Sequence, residues 1–266
     1  MSEENSERRK NKRAKLQFDV YVNMQESGKV LKGRSINLSS GGIAVLMNEF
    51  IPLGKNLSLS FKVKGELVFE NVEAKIIGSI DIEDSFIYSL EFIDLPGDGA
   101  VKISEILEII YFITKLKLFS GISDAEALCL RESGEVVEYQ EEKVIFNEGE
   151  EGYAFYAVIS GKVKISKKSN IENLSEEVLA LIREGEFFGE MALFDEGVRT
   201  AKAEAHTKCV LFTITAEKFN ALIKVNHQLA IKVLLGFIRT LSKRLKTMNQ
   251  EIVDLLFSEA AINEIK

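Results

Sequence analysis

The sequence predicts a mainly β chain with helices: two β-rich units, a helix between them and a long helix at the end. Three observations carry that reading. From Leu16 the chain alternates apolar and polar positions with period two, residues 135–215 are punctuated by glycines at 149, 152, 161, 185, 189 and 197, and Ile231 to Leu255 steps in a heptad. At 266 residues the chain is long enough for two cores, because one core usually serves about 100 to 200 residues.

Taken in order, the chain begins with a basic stretch, RRKNKRAK at 8–15, with six cations in eight positions. Leu16, Phe18, Val20 and Val22 then share one face of a half-buried strand. The same period returns at Leu57, Leu59, Phe61 and Val63, and strand-like runs follow at 67–80 and 85–93. Turn signals at 39–42, 52–54 and 96–99 separate these runs, so residues 16–95 read as a small all-β unit, a barrel. Beyond the last turn, Ile103, Ile106, Leu107, Ile110 and Thr114 fall at helical spacing, with Ser104 near the start, which predicts a helix over 101–116. The second β-rich region comes next.

In the final helix Ile231, Leu234, Ile238, Leu241, Leu245, Met248, Ile252 and Leu255 form an a/d seam. A seam sustained over more than three heptads predicts pairing along its length, hence a homodimer through residues 231–255; the alternative is a helix packed only on its own domain. Leu235 and Phe237 flank the seam toward that domain. Gly236 reads as an exposed weak point opposite, costing about 1 kcal/mol relative to Ala.

Composition narrows the function. A net charge of −7 with a single short basic end argues against a nucleic-acid binder, which needs a basic stripe. Cys129 and Cys209 show no CxxC spacing, and His206 and His227 have no metal-ligand company, so neither disulfides nor a metal are expected, and the expected compartment is the reducing cytoplasm. No signal-peptide pattern opens the chain, and its most apolar run, 106–113, is short and contains Glu108, so no membrane association is expected. No catalytic constellation stands out, and no GGDEF string occurs; the expectation is a non-enzyme without cofactor.

The segment GEFFGEMALFDEGVRTA, 185–201, has the parts to hold a phosphorylated ribose. Gly189 admits close backbone approach, the following residues can present amides to an anion, and Arg199 can fork onto two phosphate oxygens. Glu190 beside a phosphate makes sense only as an acceptor for another donor, such as a ribose hydroxyl. These residues resemble the phosphate-binding cassette of the cyclic-nucleotide-binding domain family, the module of catabolite activator protein and of cyclic-nucleotide-dependent kinases. KLFSGISD at 117–124, VIFNEGEEG at 144–152 and FYAVISGKVKI at 155–165 extend the likeness over about 115–255. The resemblance implies an eight-stranded jelly-roll barrel, with Glu190 on the ribose 2′-hydroxyl, Arg199 on the cyclic phosphate and backbone at Gly189, Ala192 and Ala201 completing the cradle. Thr200 stands where members preferring cyclic GMP often place a hydroxyl, as do activator-type bacterial members that bind cyclic AMP; the reading favours cyclic AMP and leaves cyclic GMP open. The family's helix after the barrel often caps the base, which brings in Thr247 and Asn249. Catabolite activator protein continues into a helix-turn-helix; about a dozen residues follow the seam here, so no such module is expected.

In the first unit Arg9 and Arg13 make an RxxxR, and Asn37, Ser39 and Gly42 make an NxSxxG at the end of a predicted strand. In this order, on this β pattern, they resemble the PilZ domain, a six-stranded antiparallel barrel that receives the bacterial messenger cyclic di-GMP, over about residues 7–95. The resemblance implies that Arg9 and Arg13 clamp phosphates and guanines, that Arg8 assists, that Asn37 and Ser39 reach the other base and that Gly42 permits the turn. The chemistry agrees, since the ligand is a dianion exposing guanine edges suited to arginine. One departure is that YSLEF at 88–92 lacks a glycine often seen there.

The expected organisation is a flexible basic arm at 1–15, a PilZ barrel at 16–98, a connecting helix at 99–118, a cyclic-nucleotide-binding barrel at 119–220 and a dimerisation helix at 221–258. The expected function is a cytoplasmic bacterial second-messenger adaptor, binding cyclic di-GMP and a cyclic mononucleotide and passing the signal to a downstream protein rather than to DNA. The alternative is a ligand-free protein-interaction module acting through its barrels and last helix.

Overall fold

The structure, a computed structural model, describes residues 12–24, 28–63, 67–169, 176–194 and 197–263. The predicted arginines Arg8 and Arg9 lie outside the described residues. The chain is mainly β and divides into two compact units, one running through Thr114 and taking in Ser123–Glu132, the other holding Lys115–Ile122 and Ser133 onward.

Seven antiparallel strands build the first unit: β1 (Arg13–Ala14), β2 (Asp19–Met24), β3 (Lys29–Ser39), β4 (Gly42–Met47), β5 (Asn56–Lys62), β6 (Val68–Ile82) and β7 (Ser85–Asp94). Their order is β1-β3-β2-β5-β6-β7-β4, and β4 returns to pair with β3, so six strands close a barrel to which β1 adds two residues. The alternation seen in the sequence is the barrel wall: Val20, Val22, Leu57, Leu59 and Phe61 are all buried inside, as are Tyr88 and Leu90. The Tyr88 hydroxyl, in this apolar interior, accepts from the Ile51 amide at 2.6 Å and donates to the Glu49 carbonyl at 3.2 Å, satisfying a polar tip that burial would otherwise penalise. Helix α1 (Gly99–Lys115) follows and buries Ile103, Ile106, Leu107, Ile110 and Ile113, one stripe at helical spacing. Helix α2 (Asp124–Ser133) is opened by a capping box: the Ser123 hydroxyl accepts from the Glu126 amide, while the Glu126 carboxylate accepts from the Ser123 amide at 2.8 Å.

The second unit opens with a 3-10 turn at Lys117–Phe119 and folds eight strands, β8 (Glu135–Tyr139), β9 (Val144–Phe146), β10 (Ala154–Ser160), β11 (Lys162–Lys168), β12 (Glu176–Arg183), β13 (Phe187–Phe188), β14 (Lys202–Ala205) and β15 (Cys209–Thr215). They form two four-stranded sheets, β13-β10-β15-β8 and β12-β11-β14-β9, around a core that includes Val158, Val163, Phe188 and Leu211. Between β13 and β14 lies the short helix α3 (Met191–Phe194), and after β15 come α4 (Ala216–Val225) and the long α5 (His227–Asn263).

Helix α5 has two distinct faces. Leu229, Ala230, Val233 and Phe237 are buried on the unit, with the Phe237 ring edge-on to both Phe155 and Phe187 at centroid distances of 5.1 and 5.2 Å. Six residues of the heptad seam, Ile231, Ile238, Leu241, Leu245, Met248 and Ile252, are exposed, Ile238 and Leu245 each at 59%. Two readings near the seam need correction. Gly236 is buried, not exposed, because the helix crosses the 3-10 turn there so closely that a Cβ would overlap the Leu118 carbonyl oxygen. Leu235, read as facing the domain, is 43% exposed.

Candidate functional site

In the first unit, strand pairing brings the predicted residues together. Arg13 stands opposite Ser39, Ser39 opposite Gly42, and Gly42 opposite Glu91, so one row crosses β1, β3, β4 and β7. Directly opposed residues project to the same face of a sheet, here the outer face of the barrel, since the alternate residue Leu90 is buried inside. The Ser39 hydroxyl, 3% exposed, donates to the Gly42 carbonyl at 3.0 Å and fixes the turn between β3 and β4. Gly42 must be glycine for a steric reason: a Cβ there would overlap the Leu90 carbonyl oxygen. In a second row Asn37 faces Ala44 and Ala44 faces Ser89. A cleft of about 280 Å³ lies over these rows, lined by Arg13, Ser39, Gly42, Ala44, Ile77, Ser89 and Glu91 among others. Asn37 is half-buried beside it and does not line it.

In the second unit Gly189 takes φ +75°, a left-handed conformation that favours glycine, and its missing Cβ makes room for the Arg199 guanidinium, whose Nη1 would lie 2.9 Å from it. Arg199 is 5% exposed. Its Nη1 donates to the carbonyls of Ala154 at 2.9 Å and Gly189 at 3.2 Å, and its plane lies over the Phe146 ring at 4.0 Å. Burial pulls the guanidinium below its usual value, while Tyr156 and Glu150 oppose that shift. It remains a cation, and its Nε is buried without a hydrogen-bond partner.

Glu190, 7% exposed, accepts from Arg244 Nη1 at 3.1 Å, and Arg244 Nη2 donates to the Phe187 carbonyl at 2.6 Å. A cavity of about 360 Å³ is lined by Gly189, Glu190, Arg199, Thr200 and Ala201 together with apolar Phe146, Ile165, Leu179 and Met191. The exposed Thr200 hydroxyl donates weakly to Met191 Sδ at 4.0 Å. Ala192 falls within α3. Asn249 is exposed on α5 and does not line the cavity; Arg244 and Met248 are the residues that helix contributes. Sequence reasoning missed both, as it missed Ile77 and Glu91. An arginine on a mixed-charge helix has no local signature, and its partner lies 54 residues away.

Comparison with known proteins finds a family match for each unit. The family model of the PilZ domain matches residues 7–111, and that of the cyclic nucleotide-binding domain matches residues 136–226. The chain is a fusion of a PilZ domain with a cyclic nucleotide-binding domain. Among similar curated proteins are the CRP-like cAMP-activated global transcriptional regulator of Mycobacterium tuberculosis, 26% identical over 55% of this chain and 63% of that one, and the cyclic AMP receptor protein of Thermus thermophilus, 38% identical over 48% of this chain and 56% of that one. The matches thus span little more than half the length of those relatives. A solved cyclic nucleotide-binding domain from Methylobacillus flagellatus is 23% identical, covers 56% of this chain and 83% of its own and gives a TM-score of 0.50, a likeness of fold alone. Among the described residues no helix is long and apolar enough to cross a membrane, and no group of three or more His, Cys, Asp or Glu side chains could hold a metal ion.

Proposed function

We propose that the chain is a two-messenger receptor, binding cyclic di-GMP over the Arg13, Ser39 and Gly42 row and a cyclic mononucleotide in the cavity beside Arg199. The observation that carries the second site is the buried Arg199 Nε without a partner. A buried charged donor left unpaired costs about 1 to 3 kcal/mol or more, so the fold holds this group ready for an anion, and a cyclic phosphate would supply the missing oxygen. Glu190 keeps a second carboxylate oxygen beyond the one that Arg244 engages, and a ribose hydroxyl can donate to it. Cyclic AMP is the favoured ligand: both relatives carry cAMP in their names, and the apolar cavity wall offers few partners to the additional polar groups of guanine.

At the first site Arg13 supplies a cation beside a cleft whose floor is small side chains, a fit for a flat dianion. Arg8 and Arg9 would join it from the preceding residues. The open heptad seam supports a homodimer through residues 231–255, and the net charge of −7 favours a downstream protein over DNA as the recipient of the signal. The reading is of a cytoplasmic adaptor with no catalytic step.

Isothermal titration with cyclic di-GMP, cyclic AMP and cyclic GMP tests it. Arg13→Ala is expected to remove only cyclic di-GMP binding. Arg199→Ala is expected to weaken only the mononucleotide, by roughly 30-fold or more, because truncating a buried charged partner costs at least about 2 kcal/mol. No heat with any nucleotide would leave the ligand-free interaction module as the reading, and equal loss of both ligands in either variant would refute the site assignment.

A further inference from the structure

The cleft of the first unit holds a group that an anion-binding site should avoid. Glu91 lines it and is exposed on the row that begins with Arg13. Beside phosphates a carboxylate repels, at a cost that grows as water is excluded. Glu91 stands three strands from Arg13, about 14 Å at the usual strand spacing, so a phosphate held by the arginine need not approach the carboxylate. What can approach is the ligand's other chemistry, the base edges.

A carboxylate only accepts, and it offers two oxygens side by side. The Watson–Crick edge of guanine presents two adjacent donors, N1–H and the 2-amino group, whereas adenine presents one donor and one acceptor. The floor next to Glu91 is built from Gly42, Ala44 and Ser89, whose small side chains let a planar base lie close to the sheet. Ile77, 59% exposed at the rim of the same cleft, offers an apolar face to the ring. Lys75, the next residue in the row, lies outside the cleft.

Building on the cyclic di-GMP reading above, we propose that Glu91 selects guanine over adenine in this cleft, accepting from N1–H and the 2-amino group of one base of the dinucleotide. The side chain is exposed and leaves the core untouched when changed, so binding can be read without a folding defect.

The test is titration of the full chain, as wild type, Glu91→Gln and Glu91→Ala, with cyclic di-GMP, cyclic di-AMP and the dihypoxanthine analogue that lacks the 2-amino group. In wild type, removal of the 2-amino group should weaken binding. Glu91→Gln should weaken cyclic di-GMP roughly ten-fold or more, the discrimination of a good bidentate contact, and should strengthen cyclic di-AMP, because a carboxamide offers the one acceptor and one donor that adenine needs. Glu91→Ala should weaken cyclic di-GMP with no gain for adenine. A ratio of guanine to adenine ligand unchanged in Glu91→Gln overturns this inference alone. Failure of the wild type to bind cyclic di-GMP overturns the receptor reading of the first unit and this inference with it.

Discussion

Arg244 donates to Glu190 at 3.1 Å, joining the long terminal helix to the loop that carries Gly189, and the glutamate side chain in this pair is only 10% exposed. The same guanidinium lies over the Phe187 ring at 4.5 Å and holds the Phe187 carbonyl, so one side chain fastens the helix to strand β13 as well. Arg244→Ala therefore leaves a largely buried carboxylate without its charged donor.

The expected cost is about 2 kcal/mol in the stability of the second unit, in the range for hydrogen bonds to charged groups. Arg244→Lys should recover only part, since an ammonium lacks the planar fork that reaches two acceptors at once. Scanning calorimetry of the single variants, of Glu190→Gln and of the double variant checks this. A double variant that merely sums the single losses would show that the pair is not coupled.

Gly236→Ala separates local from tertiary reasoning. Helix propensity alone predicts a gain of about 1 kcal/mol from replacing an interior glycine. The crossing over Leu118 predicts the opposite, a loss of about 1 to 3 kcal/mol as the helix is pushed off the 3-10 turn. A raised melting temperature in this variant would disprove the close crossing.

The second barrel carries an ion network whose pH response has a definite sign. Glu204 pairs with Lys164 at 2.7 Å and Lys202 at 2.8 Å, and Lys202 also reaches Glu176 at 3.0 Å. Hydrogen bonds from Lys164 hold Glu204, and those from Lys202 hold Glu176, below the usual carboxylate value of 4.5. Carboxylates lowered in the folded state add stability above 4.5 and lose it as pH falls through their lower folded values. Lys202, raised above 10.5 mainly by its hydrogen bond to Glu204, adds stability below that value and loses it as pH climbs beyond. Lys202→Met should lower the unfolding free energy, measured by urea titration at neutral pH, by about 1 kcal/mol or less, a partly exposed pair being worth little more. The gap from wild type should close below pH 4.5; a gap constant with pH would show that the loss is one of packing.

For the seam, substitutions are a better probe than truncation. Cutting at Asn226 would remove Val233 and Phe237 from the core along with the seam. Leu245→Glu with Ile252→Glu, at positions 59% and 53% exposed, leaves the core whole. Light scattering is expected to show a dimer for wild type and a monomer for the pair of substitutions, because charges at two seam positions desolvate poorly. A persistent dimer would place the interface elsewhere.

Much of this fold could be read from residue order because apolar and polar side chains alternate in the first barrel: Val20 and Val22 alternate with exposed neighbours, and Leu57, Leu59 and Phe61 with the serines Ser58 and Ser60, so period two follows. Helix α5 was legible for the same reason at a different period. SerAspAlaGlu at 123–126 spells the capping box that starts α2, a signal that apolar periodicity passes over. Gly236 was misread because no local pattern reports that residue 118 will lie across it. The Arg13, Ser39 and Gly42 constellation was legible as a spacing, but Glu91 joins it only through the register of β4 with β7, which only folding reveals. Arg244 is hidden likewise, by a partner distant in sequence.

The closure of β4 onto β3 has a consequence for association. A ring of strands has no open margin, so among the described residues of the first unit only the short β1 offers an extended foreign segment an edge to pair with. The second unit is different: β12 ends its sheet, and Val178 and Leu179 on it are 64% and 56% exposed. Strand addition of a peptide, or misassembly in a crowded cell, would begin on such an end strand, and β12 is the longest of the four that end the second unit's two sheets.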